Sequence, residues 1–351
     1  MTEKTSVLEK KPKSFENLNV LGNQGPSEKK TFYIWFHSRK IQKRLVMFTF
    51  MFLPIALLGI FTYYPFTQMI DFSFHKMKWI GAREWVGFKN YIDVFKREDC
   101  FGALKNSLYY MGGAVFQLCL ALYLATILSF GVKGGKFFKG LMFFPYLING
   151  IAIGFIFKFF YTRGFVLDTV LQAIGLNIDN LPYWLKDQSI NNVSLAATSV
   201  WKYFGQNMVL FVGAIMSVDS ELYEAATLDG ANKWQQFCYI ILPSIKTIVL
   251  LNLILSITGS LSAFEPAFVI TDSANGTGTY FTTMHEIAYT SQKVGLAAAM
   301  AVILFGMIIL ATIFQKVLFA VLFKNAEIED KKGGKKRENK INRMKKRKGI
   351  I

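Results

Sequence analysis

The chain offers little of the side-chain chemistry that makes or breaks bonds. Its three histidines, His37, His75 and His285, are scattered and form no cluster of metal ligands. The glycine-rich run around Gly131, Gly134, Gly135 and Lys136 lacks the phosphate-cradling spacing and the following Lys-Ser/Thr pair. The chain itself is therefore expected neither to hydrolyse ATP nor to bind a cofactor. What stands out is one polar segment between apolar runs, from Asp219 to Pro243. Asp219 or Ser220 can cap a short helix, with Glu221 and Glu224 near its positive end. Leu222, Ala225, Ala226 and Asp229 recur three or four apart, which puts a surface of small residues on one side. Gly230 suits the left-handed position that ends such a helix. Asn232 can cap a second helix carrying a Trp234, Phe237 and Ile241 stripe, and Pro243 is tolerated in the first turn of the next span. The chemistry this pattern supports is docking: a helix, a glycine bend and another helix lying across a membrane face. A partnerless amphipathic helix resting at the interface is the alternative.

The elements that would carry this segment follow from composition. The 351 residues are 52% hydrophobic and 16% aromatic but only 18% charged, where soluble domains carry about a quarter. Mean hydropathy is +0.32. This excludes a disordered chain and argues against an ordinary soluble enzyme. A net charge of +17 on so apolar a chain points to a membrane protein with its positive charge in the loops. Six apolar runs are each long enough for the roughly 20 helical residues that span a bilayer: 45–66, 106–130, 138–160, 194–218, 244–270 and 295–323. The first lacks a small-residue cleavage site and reads as a retained anchor rather than a leader. Continuous runs exclude the alternating ten-residue strands of a barrel. The expectation is an all-α membrane protein of six transmembrane helices.

Orientation follows from Lys and Arg. Residues 1–44, 131–140, 219–247 and 324–351 hold 27 of them, and the alternate loops 66–105, 161–193 and 271–294 hold 10. Positive charge stays inside, so both termini are expected in the cytoplasm. A basic arm (1–44) then precedes the membrane domain (45–323), and a basic tail (324–351) follows it. The tail reads as a contact for anionic membrane lipids rather than nucleic acid. With Cys100 outside, Cys119 in lipid and Cys238 inside, no disulfide is expected. Lys158, Glu265 and Lys316 fall near helix ends and can reach water. Lys202 lies about eight residues inside its span and reads as snorkelling outward, with a cargo contact as the alternative. No carboxylate sits mid-span, which argues against an ion-coupled carrier. The aromatic loop 66–105 reads either as an outer cap that touches a partner or as packing between helices.

Glu224-Ala225-Ala226, three residues, Gly230, nine residues, then Ile240 and Leu242-Pro243 resembles the EAA loop of ATP-binding-cassette importer permeases. The variant with Asp229 and Ala231 is similar to carbohydrate permeases of the maltose and glycerol-3-phosphate type. Weaker matches surround it: Tyr64-Pro65, Val86-Gly87-Phe88, Asn90-Tyr91, Ala103-Leu104, Asn106, Gly164 and Gly175-Leu176. The resemblance implies the type I importer permease fold and a role as the transport subunit of a bacterial plasma-membrane sugar importer. Its partners would be a second homologous permease, an ATPase dimer that holds ATP and Mg, and an extracellular sugar-binding protein. Glu224, Ala225, Ala226, Asp229, Gly230, Leu242 and Pro243 would couple to the ATPase. Sugar would bind at mid-membrane on the flanking spans, where counting turns from the loop reaches Tyr203, Gln206, Asn207, Ser256, Gly259, Ser260 and Phe264. Small residues among these also suit plain helix contacts. A permease for a polyol, glycerol phosphate or peptide is the nearest alternative, and an ion-coupled carrier a more distant one.

Overall fold

The computed structural model describes residues 39–347, so the bulk of the expected arm (1–38) and the last four residues lie outside the described residues. So do the side chains of 322–347, which include the basic tail. The described residues divide into two units between Thr67 and Gln68. The first is described as α1 (Arg39–Leu58), which passes through a π-helical turn (Gly59–Tyr63) into α2 (Tyr64–Ser73).

The second unit continues from α2 into a two-residue hairpin, β1 (His75–Lys76) against β2 (Glu84–Trp85). Then come α3 (Lys89–Lys96), α4 (Glu98–Ser129), α5 (Gly135–Leu147), α6 (Gly150–Tyr161), α7 (Val166–Ala173) and α8 (Asn191–Met216). The remaining α-helices are α9 (Ser220–Leu228), α10 (Lys233–Gln236), α11 (Leu242–Leu261), α12 (Tyr280–Tyr289) and α13 (Val294–Arg347). Two further π-turns lie at Phe237–Ile241 and Pro266–Ile270. A proline lies two residues after each of the first two π-turns, Pro65 and Pro243, and Pro266 opens the third. The missing proline N–H breaks the regular ladder, and a widened turn re-pairs its neighbours.

Among the described residues, four helical stretches are long and apolar enough to cross a membrane: Val46–Ser73, Glu98–Ser129, Lys233–Ile270 and Val294–Val321. A fifth counts if α5 and α6, bent by 97°, form one broken span. The protein is thus a multi-pass membrane protein. Two expectations change in detail. The run 138–160 is not one straight helix: it breaks at Ile148 and Asn149, where the Asn149 side chain accepts from the Ile151 N–H and starts α6 afresh. The run 194–218 becomes α8, 26 residues long. It is less apolar than the others because Ser199, Lys202, Gln206 and Asn207 face an internal cavity.

The longest helix–helix seam joins α4 to α8. Along α4 a buried stripe of Cys100, Ala103, Ser107, Tyr110, Ala114, Leu118, Ala121 and Ala125 recurs every three or four residues and is mostly small, with Gln117 buried beside it. In lipid, where apolar side chains gain little by leaving the solvent, close backbone approach over such residues holds helices together. Overfilling such a seam costs about 1–3 kcal/mol. The opposite face of α4, with Phe116, Tyr123 and Ile127, stays exposed, as a lipid-facing surface must.

Three packed regions succeed one another along α4. At its N-terminal end, Cys100 joins Val94, Tyr280, Leu296 and Met300. Midway, Tyr110 joins Leu195, Ala196, Ala267 and Ile270. At its C-terminal end, Leu118, Ala121 and Ala125 join Met208, Phe211, Ile215, Ile241 and Ile245. The 66–105 loop packs on its own chain. Trp79 Nε1 donates to the Ala288 carbonyl (2.9 Å), Val294 N–H to the Met77 carbonyl (3.1 Å), and the buried Asn90 amide to Ser73 and His75 carbonyls.

Candidate functional site

Between the middle and C-terminal packed regions lies a cavity of about 590 Å³, lined by α4, α5, α6, α8, α11, α12 and the segment 262–266. All seven residues reached by counting turns line it: Tyr203, Gln206, Asn207, Ser256, Gly259, Ser260 and Phe264. They are not equivalent. The Ser260 hydroxyl is spent on its own helix, donating to the Ser256 carbonyl at 2.8 Å. Phe264 stacks on Phe268, with ring centroids 4.8 Å apart, and meets the Phe281 edge at 5.5 Å. Tyr203 lies tilted 6.2 Å from Tyr146. The wall therefore offers neutral hydrogen-bonding groups beside aromatic faces.

Lys202 departs from its expected outward course. Its side chain is 12% exposed, and Nζ donates to Glu265 Oε2 at 2.6 Å. The same ammonium lies 5.1 Å from the centre of the Tyr203 ring. Glu265, expected to reach water, has a 42% exposed side chain and lines the cavity. Sequence reasoning missed this pairing because the partners are 63 residues apart. It also missed Tyr110, a residue of the cavity wall whose buried hydroxyl has no hydrogen-bond partner among the described residues. A tyrosine on the small-residue stripe of α4 was the available signal.

Directly after α8 comes the segment 219–243. Asp219 caps α9, its carboxylate accepting from the Glu221 N–H at 3.0 Å. The helix closes with Gly230 N–H to Thr227 O (3.1 Å) and Ala231 N–H to Ala226 O (2.9 Å). This paired closure needs a left-handed residue, and Gly230 has φ +79°. Asn232 and Gln235 then cap α10 reciprocally, each bond 2.8 Å. Gln236, 2% exposed, ties the two helices together by donating to Thr227 Oγ1 at 3.0 Å. Nothing in the local pattern singles that glutamine out.

Glu224, Ala225, Asp229 and Gly230 are exposed, Ala226 is half-buried, and no residue of α9 is buried. Against its own chain the helix is held by the Gln236 bond to Thr227 and by Tyr223, whose ring meets Phe130 edge-on at 5.5 Å. Leu242 and Pro243 begin α11, with Pro243 in its first turn as expected. The helical course runs on from Lys233 through the π-turn to the cavity wall, so the expected start of that span at 244 moves back by some eleven residues.

Residues 117–322 match the family described as the binding-protein-dependent transport system inner membrane component. The chain belongs to this family. The matched stretch contains the segment 219–243 and most of the cavity wall, while α1 to α3 and the hairpin precede it. This permease is 30% identical over 302 residues to the diacetylchitobiose uptake system permease protein NgcF of Streptomyces coelicolor, covering 81% of this chain and 84% of that one. It is 27% identical over 288 residues to the multiple sugar-binding transport system permease protein MsmF of Streptococcus mutans, covering 79% and 96%. Its fold is shared with a chain of a bacterial ABC transporter involved in import of the acidic polysaccharide alginate. There the TM-score is 0.70 at 20% identity, over 82% of this chain and 98% of that one. The permease is thus a membrane transport subunit, not a catalyst of covalent chemistry.

Proposed function

We propose that the chain is one permease subunit of an ATP-driven importer that carries a sugar or oligosaccharide across a bacterial plasma membrane. The observation that carries this reading is continuity. The exposed helix α9 comes directly after α8 and is tied by Gln236 to the helical run that becomes α11, and both flanking helices wall the same cavity. Relatives named for sugar uptake support the cargo class, and neutral polar groups beside aromatic rings suit hydroxyls and apolar sugar faces.

In this reading the fold has six membrane spans, α8 and the bent α5–α6 pair included, with both termini cytoplasmic. The α9 face formed by Glu224, Ala225 and Ala226 docks in a cleft on a separate ATPase dimer. That dimer supplies ATP and Mg, and this chain binds neither. Closure of the ATPases pushes α9, and the self-bonded segment passes the motion to α8 and α11. The cavity walls shift and access alternates between the two sides of the membrane. A second homologous permease completes the pathway, and an extracellular binding protein delivers the cargo.

The test is capture of the chain from its native membranes in mild detergent, with mass spectrometry of what accompanies it. A second permease and an ATPase should co-purify, and Glu224→Lys should release the ATPase while the permease pair remains. A chain that emerges alone, under conditions that keep other importers intact, would refute the assignment.

A further inference from the structure

We propose that the ion pair between Lys202 and Glu265 holds the cavity at zero net charge and bars anionic solutes from it, so that the cargo is an uncharged glycan. This rests on the reading of the cavity as the cargo site. Among the described residues that line it, Lys202 and Glu265 are the only charged ones. Left alone, a lysine facing such a cavity would draw carboxylated or phosphorylated solutes. Paired at 2.6 Å, its charge is cancelled. An anion could capture the ammonium only by prising it from a carboxylate that would then repel the anion.

Glu265 is held for this purpose from two sides. Lys202 grips one oxygen, and the carboxylate rests against Gly150, where any Cβ would overlap it. Gly150 is the first residue of α6, a twelve-residue helix whose N-terminal end favours negative charge. The break between α5 and α6 thus supplies a seat for the carboxylate, and the seat fixes where it meets Lys202. With neither charge free, selection is left to Gln206, Asn207 and Tyr203 and to the aromatic faces, which read hydroxyl patterns rather than charge. In a site of effective dielectric near 20, one uncompensated charge changes the partition of a singly charged solute by roughly tenfold at ~10 Å.

The experiment uses the assembled importer with Cys119→Ala and Cys238→Ala, Cys100 being buried, and Ser256→Cys as a reporter in the cavity wall. The probes are the anionic sulfonatoethyl and cationic trimethylammonioethyl methanethiosulfonates. Glu265→Gln should raise the anionic-to-cationic labelling ratio at least about tenfold, and Lys202→Met should lower it by a similar factor. The double variant Lys202→Met/Glu265→Gln should return to the parent ratio, which loss of a merely structural tie would not predict. An unchanged ratio in every variant that assembles overturns the proposal.

Protection of the same thiol by glycans reads the cargo. Neutral malto- and chito-oligosaccharides should protect the parent where oligogalacturonates do not, and Glu265→Gln should improve oligogalacturonate protection at least about tenfold. Equal protection of the parent by both classes overturns the proposal. If the labelling ratio shifts as stated while no glycan protects, the exclusion of anions stands and the sugar reading fails.

Discussion

The segment 219–243 and the cavity are neighbours in the chain but are built on opposite plans. The bonds that shape the segment join residues nine or fewer positions apart: Asp219 to Glu221, Gly230 to Thr227, Ala231 to Ala226, Asn232 to Gln235, and Gln236 to Thr227. The cavity is held by distant partners, Lys202 with Glu265 across 63 residues and Thr279 with the Ala263 carbonyl across 16. A locally bonded element keeps its shape wherever it is pushed, which is what a lever needs. A cavity whose walls come from seven different segments changes shape whenever those segments move, which is what alternating access needs.

Three substitutions test this contrast. The largest effect is expected from Gly230→Pro. Proline cannot adopt φ +79° and has no N–H to give the Thr227 carbonyl. Uptake should fall to background while the amount of chain in isolated membranes stays close to wild type. Normal uptake would end the lever assignment. Tyr110→Phe probes the other plan. A buried hydroxyl without a partner costs about 1–3 kcal/mol, so its removal should leave thermal stability unchanged or raised. If that hydroxyl serves cargo, affinity should drop about five- to tenfold, a factor worth about 1 kcal/mol. A gain in stability with unaltered affinity would make it a packing defect. The smallest effect belongs to Asp219→Ala. Losing one cap costs about 1 kcal/mol, and because the remaining bonds of the segment are local, uptake should stay within about twofold. A collapse of transport would show that the segment is less self-sufficient than its bonding implies.

This contrast also governs what could be read from the residues in order. The cap at Asp219, the bend at Gly230 and the Asn232 cap were all legible, because each depends on residues within one helical turn. The seven cavity residues were reached by counting turns along helices that flank the loop, and the structure does bring them to one cavity. Counting failed where chain direction changes abruptly. Hydropathy gives no sign of the 97° bend after Leu147, since it reports burial in lipid and not path, although Pro145 and the Asn149-Gly150 pair are local turn signals. It also misplaced the start of the span that contains α11, because Asn232 and the Trp234, Phe237 and Ile241 stripe read as a separate second helix, whereas that helix runs on through the π-turn into α11. Lys202 was assigned an outward course because a lone lysine in lipid ordinarily snorkels. Its partner lies on another element, and no spacing rule links residues 202 and 265.

Composition, apolar run length and the charge of the loops were enough to determine a multi-pass helical membrane protein. The pattern from Glu224 to Pro243 was enough to determine its family. These properties rest on local backbone preference and on the cost of placing polar groups in lipid, both of which act residue by residue. The tertiary structure alone decided that Lys202 and Glu265 neutralise each other, that Tyr110 lines the cavity, and that Gln236 joins α9 to the run leading into α11. Those pairings depend on how helices cross and where they break. That is set by side-chain packing between elements distant in the chain, and no local rule encodes it.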